Sequence, residues 1–500
     1  MSIKELIKVK NKFNISVNPK SKHAADVNIY FCDDLTDLKF LSKPELKSIT
    51  TKYNNSELKD LANLDFIFSG SRTLIFKSVK NQEAYFFNEF IRDSLKGIIN
   101  NKNYKNISIN IKNFASNQQQ DYFSTICEFC LLENWSHPKI SSQEKSTKKT
   151  SNINIHTSIK HHQALLRMSE IVAENNSLVR SLAECPPNFL SADKYIDWIK
   201  TNKKHFSELG IKISVDTCAD LKKKKAGAFL AVAQAGPNYP GGIVKLSYSP
   251  KKSNKKTKTV TLVGKGICYD TGGLNIKTEN YMRSMKRDMT GSAVALASII
   301  AIAQSKFNVC ANAYLAITEN HVSADAYKMD DVVVANDGTS IEIIHTDAEG
   351  RMALADTLAF TKKINQDLII DYATLTGAAV YCLTTRRSSV FSKDLKLSKL
   401  AVKVGDQCGE RLWDFPLSED YTKDLKKSKN ADLYQCNPGK GADHIYAACF
   451  LGQFIPKDTP WLHIDLASEE NPGGLGLVSS DVTGFGVKWT INFVKKYFDV

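Results

Sequence analysis

The 500-residue sequence predicts an α/β protein in two parts: a small N-terminal α/β domain, and a larger C-terminal α/β domain with a mixed, helix-covered sheet that carries the candidate catalytic residues. Three observations predict it. Strand-like and helix-like runs alternate along the chain, and its length exceeds what one core usually organises. A polar stretch over residues 136–158, rich in Ser, Thr and Lys, reads as a linker. The expected divisions are therefore 1–135, with no chemistry visible, the linker 136–158, and 159–500.

In the first part, Val27 to Phe31 and Leu64 to Phe68 read as strands, and Glu83 to Ile99 as an amphipathic helix. A helical pattern from Ile159 to Ala183 stops before Pro186-Pro187, which cannot continue a helix. Beyond it, Thr259 to Val263, Val309 to Ile317, Ile341 to Ile344 and Leu368 to Thr374 are β-branched or apolar runs expected as strands. Gly291 to Gln304 and Gly350 to Thr361 are expected as helices, and no internal repeat is found.

Composition excludes several classes. Apolar content of 42%, aromatics of 9% and charged residues of 24% are those of an ordinary globular protein. The aliphatic run Ser292 to Ala303 is too short to cross a bilayer, and Met1 to Glu5 lacks a signal peptide's apolar core, so a cytoplasmic location without membrane contact is expected. Eleven cysteines, an odd number scattered from Cys32 to Cys449, suit reduced thiols, and Cys127-x-x-Cys130 without a second pair reads as packing thiols. The net charge of +14 comes largely from lysine, with runs at Lys222 to Lys225 and at Lys251, Lys252, Lys255, Lys256 and Lys258. Those runs read either as a solvated face or as a patch for nucleic acid or an acidic partner.

The chemistry concentrates in two short stretches. Gly264-Lys265-Gly266-Ile267-Cys268-Tyr269-Asp270 runs on to Lys277 and Asp288, and Thr346-Asp347-Ala348-Glu349-Gly350-Arg351 follows the third strand-like run. Both stretches are expected at strand ends of the sheet, where open α/β sheets bind ligands. Four carboxylates within contact distance repel by roughly 4 kcal/mol per close pair at an effective dielectric near 20, so either most are protonated or cations hold them. Two divalent ions cancel four negative charges. Asp347 and Glu349, two apart in an extended segment, would leave on the same side. Oxygen donors with one nitrogen suit zinc, manganese or magnesium. Taken singly, each acid could equally be a surface residue or cap, Asp288 capping the helix near Thr290 for example. The surrounding Gly264, Gly266, Gly272, Gly273 and Gly350 favour one shared site, because they let backbone approach closely.

These stretches, with Met285-Lys286-Arg287-Asp288-Met289, Pro186-Pro187-Asn188, Val232 to Gly236, Ala373 to Ala378 and Thr483 to Val487, closely resemble the leucyl (cytosol) aminopeptidase family over roughly residues 175 to 490. The first 150 or so residues resemble its variable N-terminal domain only vaguely. The resemblance implies that Lys265, Asp270, Asp288, Asp347 and Glu349 ligate two divalent metals, with Asp270 and Glu349 bridging. Lys265 would bind as a neutral amine, and lowering a lysine from about 10.4 to below 7 costs roughly 4 to 5 kcal/mol, which only burial beside a dication could supply. Lys277 is implied to stabilise the oxyanion and Arg351 to hold a bicarbonate that serves as general base. A bridging hydroxide would attack the scissile carbonyl. Met285, Thr374 and Gly377 match positions lining an apolar pocket for the first side chain, leucine or similar.

The activity so implied is removal of N-terminal residues from short peptides with a free N-terminus, by a homo-hexamer. A substrate amine ligating one metal would make the enzyme an exopeptidase. A DNA-binding architectural role, alone or in addition, is the alternative that the positive balance admits; no recognition helix or aromatic-basic module supports it. The sequence departs from the family pattern at His345 for Asn, Met352 for Leu, and Thr290 and Ser292 for Gly and Ala. His345 is open to three readings: a donor to a ligating carboxylate, a core histidine, or a new ligand. Thr290 and Ser292 add bulk and hydroxyls near the site, which bears on pocket shape.

Overall fold

A computed structural model describes residues 12–19, 24–78, 83–114, 116–140, 151–237, 240–254, 256–439 and 441–500. Met1 to Glu5, residues 141–150 and Lys255, which figure in the expectations above, lie outside them.

The chain divides into two compact units, one of Val9–Glu174 with Gly474–Ser479, the other of the remaining residues. The first holds a six-stranded sheet in the order β1 (Phe13–Val17), β6 (Ser151–His156), β5 (Asn106–Asn110), β2 (Val27–Cys32), β4 (Ser71–Lys77), β3 (Asn63–Phe68). All neighbours are parallel except β3 and β4. The helices Ala84–Ile99 and Ser116–Leu132 contribute Ile91, Leu95, Phe123 and Ile126 to its core. Cys127 and Cys130 are fully buried in that same core, where the expected packing thiols lie. Leu477 and Val478, from far along the chain, are buried in it too. One sequence expectation needs correcting here. Ser151 to His156, expected as part of a linker, is a strand between β1 and β5, because alternation of Ser151, Ile153 and Ile155 inward with Asn152 and Asn154 outward suits a sheet.

The second unit is organised around an eight-stranded mixed sheet in the order β15 (Leu412–Asp414), β14 (Ser388–Phe391), β17 (Trp461–Asp465), β13 (Leu368–Ala373), β9 (Thr259–Asp270), β10 (Cys310–Asn320), β8 (Gly242–Tyr248), β7 (Ile211–Thr217). The four central strands β17, β13, β9 and β10 run parallel. The helix Thr290–Ser305 packs on β9, β10 and β13, and is apolar all round because its residues up to Ala303 are buried. Asn280–Ser305 is apolar and long enough to cross a membrane by composition, yet 89% of its most apolar window is buried inside the protein. The helix Glu349–Thr361 is buried throughout.

Two further expectations shift. The strand expected at Thr259 to Val263 continues to Asp270, so Lys265 and Asp270 lie on β9 itself. Ile341 to Ile344 yields only the short β12 (Ser340–Glu342), in a separate three-stranded sheet with β11 (Val332–Val334) and β16 (Leu433–Tyr434). The acidic stretch after it therefore follows a minor sheet, not the main one.

Candidate metal centre

Lys265 and Asp270 are five apart on β9, which in a regular strand would point them to opposite faces. The register against β10 pairs Thr318 with Ile267 but Asn320 with Asp270, so β9 spends one extra residue there. That bulge returns Asp270 to the face of Lys265. Close contact between β9 and the Thr290–Ser305 helix is permitted by glycine on both sides: a Cβ on Gly264 would lie 2.4 Å from the Gly291 carbonyl oxygen. Just before this helix, Asp288 reaches Lys265; Met289, not Asp288, occupies the helix N-cap position.

Asp347 sits in a turn and Glu349 is the first residue of its helix, so the extended geometry expected for the pair is replaced by a bend. The bend still brings them together with Asp270, each offering an oxygen within 4.8 Å of the others. Lys265 Nζ lies 2.8 Å from Asp288 Oδ1 and 2.9 Å from Glu349 Oε1, and donates to the Thr374 carbonyl at 2.9 Å. Lys277 Nζ lies 2.9 Å from Asp270 Oδ2 and 2.6 Å from Asp347 Oδ1. The structure thus unites all five expected ligands and Lys277 in one cluster.

Burial makes that cluster electrostatically demanding. It holds the Asp288 carboxyl well above its usual range, with Glu349 and Asp270 adding repulsion and Lys265 opposing. The Asp347 carboxyl is pushed up to about 7, first by burial and then by Asp270 and Glu349. Burial alone would lower the two lysines, but Asp288, Glu349 and Asp270 outweigh it at Lys265, and Asp270, Glu349 and Asp347 do so at Lys277, so both are raised.

The donor set fits divalent cations. Four acidic side chains meet two lysines here, so the cluster is rich in acidic oxygen. Asp288 Oδ2 is buried with no hydrogen-bond partner, and Asp347 Oδ1 and Glu349 Oε1 face ammonium groups without hydrogen-bond alignment. Oxygen donors left unsatisfied in a buried place are what a hard cation would complete.

The cluster lines a cleft of about 830 Å³, a size suited to a small ligand. Met285, Thr374 and Gly377 line it, with Leu274, Ile276 and Val380 adding apolar surface. Thr374 does more than line: its hydroxyl donates to Asp288 Oδ1 at 2.8 Å. His345 is exposed at the cleft, which removes the core reading, and its Nδ1 accepts the Asp347 backbone N–H at 3.2 Å. Thr290 and Ser292 turn their hydroxyls back to the Arg287 and Met289 carbonyls, at 2.6 and 2.7 Å. Met352 is core.

Several supporting residues escaped the sequence reading. Asn320, at the end of β10, donates to Asp270 Oδ1 at 2.8 Å and to the Thr346 carbonyl at 3.1 Å. Gln435 accepts the Ile344 and His345 N–H groups and donates to the Ala348 carbonyl, bracing the acidic loop. Asp465 accepts from Leu375 and from the Thr376 hydroxyl, fixing the loop that carries Thr374. Buried Arg351 donates through one nitrogen to both oxygens of Asp443, at 2.9 and 2.7 Å. A polar residue ending an apolar strand was the local signal at Asn320 and at Asp465, the last residue of β17, whereas Gln435 follows the two-residue β16 and Asp443 opens a helix with no pattern to mark them.

Fold and site together define a class, that of α/β proteins with a carboxylate and lysine centre built for divalent cations at the edge of a cleft. The model of the cytosol aminopeptidase family, catalytic domain, matches residues 177–491, and the chain belongs to that family. It is 37% identical over 330 residues to a probable cytosol aminopeptidase of Wolbachia pipientis, covering 65% of this chain and 64% of that protein. It is 38% identical over 316 residues to that of Mycoplasma pneumoniae, covering 63% and 69%. The matched stretch thus spans about two thirds of these relatives. Among solved structures, the bottromycin maturation enzyme BotP in complex with Mn superposes with a TM-score of 0.79 at 25% identity, over 95% of this chain and 100% of that one.

Proposed function

We propose that the protein is a metal-dependent aminopeptidase that removes the first residue from short peptides with a free N-terminus, preferring leucine or a similar apolar side chain. The observation that carries this reading is the convergence of Asp270, Asp288, Asp347 and Glu349 with Lys265 in one cleft wall, with buried carboxylate oxygens left unsatisfied. Those five residues would hold two divalent ions. Manganese is favoured by the Mn complex of the BotP relative, with zinc or magnesium compatible with the same donors. When bound, such a pair supplies Lewis acidity and a water acidified enough to react at neutral pH.

The remaining work falls to side chains of the chain itself. Lys277, 14% exposed and on the cleft wall, brings a fixed positive charge to where the scissile carbonyl oxygen becomes negative. Met285, Thr374 and Gly377, joined by Leu274, Ile276 and Val380, offer the apolar surface that receives the first side chain. Their hydrophobic lining supports the leucine preference. The bicarbonate implied at Arg351 is not part of this reading, because the guanidinium already holds Asp443. A cytoplasmic location fits eleven cysteines that form no disulfide, and a homo-hexamer is the form implied by the family resemblance.

The test is release of free leucine from leucyl peptides by Mn- or Zn-loaded protein. Activity should vanish with chelator and with N-acetylated substrate; continued cleavage of acetylated peptide would overturn the exopeptidase reading.

A further inference from the structure

The resemblance gives Arg351 an exogenous bicarbonate to hold, and the structure gives it something else. Its side chain is 2% exposed. One terminal nitrogen makes both hydrogen bonds to Asp443, the other donates to the Gln435 carbonyl at 3.4 Å, and Nε is buried. Asp443 thus holds the guanidinium nitrogen with the shortest contacts, and a second anion seated there would have to displace it. Asp443 itself is 46% exposed, is the first residue of the helix Asp443–Leu451, and lines the same cleft as Lys277, His345 and the carboxylate cluster. A carboxylate and a bicarbonate present the same paired oxygens to a guanidinium, so one excludes the other.

We infer that Asp443 is a built-in replacement for the bicarbonate: it occupies the anion seat on Arg351 and acts as the proton carrier of the peptidase reaction. This rests on the aminopeptidase reading for its chemistry, though not for the seat. As water attacks the scissile carbonyl and the new C–O bond forms, the Asp443 carboxylate takes a proton from that water and becomes the acid. As the C–N bond breaks, it returns the proton to the leaving amine and is a carboxylate again. One water is consumed, and an amino acid and a shortened peptide are released. Arg351, pinned beneath it, aims the carboxylate.

Three proteins decide the matter: wild type, Asp443→Ala and Asp443→Asn, each with circular dichroism and melting checked against wild type. In carbonate-free buffer the Mn-loaded wild type should be fully active on a leucyl peptide and unmoved by added bicarbonate. Asp443→Ala should lose about a hundredfold in kcat or more, the usual worth of a proton carrier, and recover much of it with bicarbonate, acetate or formate. Asp443→Asn keeps the size of the side chain and the fold, and should lose activity without rescue, since the amide still fills the seat. Binding is read separately by titrating carbon-13 bicarbonate into metal-free protein: Asp443→Ala should bind it, wild type and an Asp443→Ala/Arg351→Gln double variant should not. Stimulation of wild type by bicarbonate, bicarbonate bound to wild type at Arg351, or full activity of either single variant without carbonate would overturn the proposal. If wild type with Mn or Zn hydrolyses no peptide, the aminopeptidase reading fails, and the proton-carrier role with it, while the binding comparison still decides the seat.

Discussion

Gly350 follows Glu349, and a Cβ at that position would lie 2.4 Å from Cε and 2.6 Å from Nζ of Lys265. Lysine and glycine thus occupy one volume, and Lys265 reaches Glu349 only because residue 350 has no side chain. Gly350→Ala should therefore cost about 1–3 kcal/mol by overpacking and, by displacing Lys265, lower the metal content. Urea unfolding and elemental analysis check the two effects independently. Lys277 meets a different demand. Removing its charge with Lys277→Gln should lower kcat by about 100- to 1,000-fold with a smaller change in KM, the mark of an interaction made mainly as negative charge develops. Steady-state kinetics on a leucyl amide measures it; an unchanged kcat would remove Lys277 from the reaction.

At the scale of elements, the bulge in β9 and the bend from Asp347 to Glu349 show what was legible in the chain and what was not. The ligand residues were legible because two stretches, 264–288 and 346–351, contain all of them within a glycine-rich setting. Their directions were not: whether Asp270 faces Lys265 depends on one extra residue against β10, a property of a strand pair and invisible in one strand. Likewise β6 was hidden because only two of its six residues, Ile153 and Ile155, are apolar. Gln435, just after β16, and Asp443, opening a helix, reach the site from about 90 residues beyond the residues they hold, and no local pattern marks them. Between β13 and β17 a further device is built: Asp371 accepts from Trp461 Nε1 and pairs with His463 Nδ1, both at 2.6 Å, with Asp371 and His463 fully buried. Asp371→Ala should destabilise by about 3–5 kcal/mol, the cost of breaking a buried pair from one side. A drop in the urea midpoint with an unchanged slope would show this, and a variant as stable as wild type would contradict it.

For the whole molecule, the four-carboxyl centre makes cation binding a term in stability. Cations that bind the folded state alone should raise its stability by about 2.7 kcal/mol at one hundred times their dissociation constant. Melting temperature followed against free Mn or Zn should climb with concentration and fall on chelation, and Asp347→Asn should flatten the response. A melting point indifferent to either ion would contradict the centre. Lys222 to Lys225, Lys251, Lys252, Lys256 and Lys258 are exposed, as both readings of the lysine runs require, with Lys224 paired to Asp216 and Lys258 to Asp367.

The N-terminal unit includes Gly474–Ser479, and Leu477, Val478 and the Gly476 carbonyl that accepts from Arg92 all belong to it. During synthesis residues 12–174 therefore emerge with a gap that only residues 474–479 can close. At about 5–20 residues per second the wait for those roughly 300 residues lasts on the order of 15 to 60 s. Throughout that interval the core lacks Leu477 and Val478, and any contiguous stretch ending at Glu174 leaves out part of the unit.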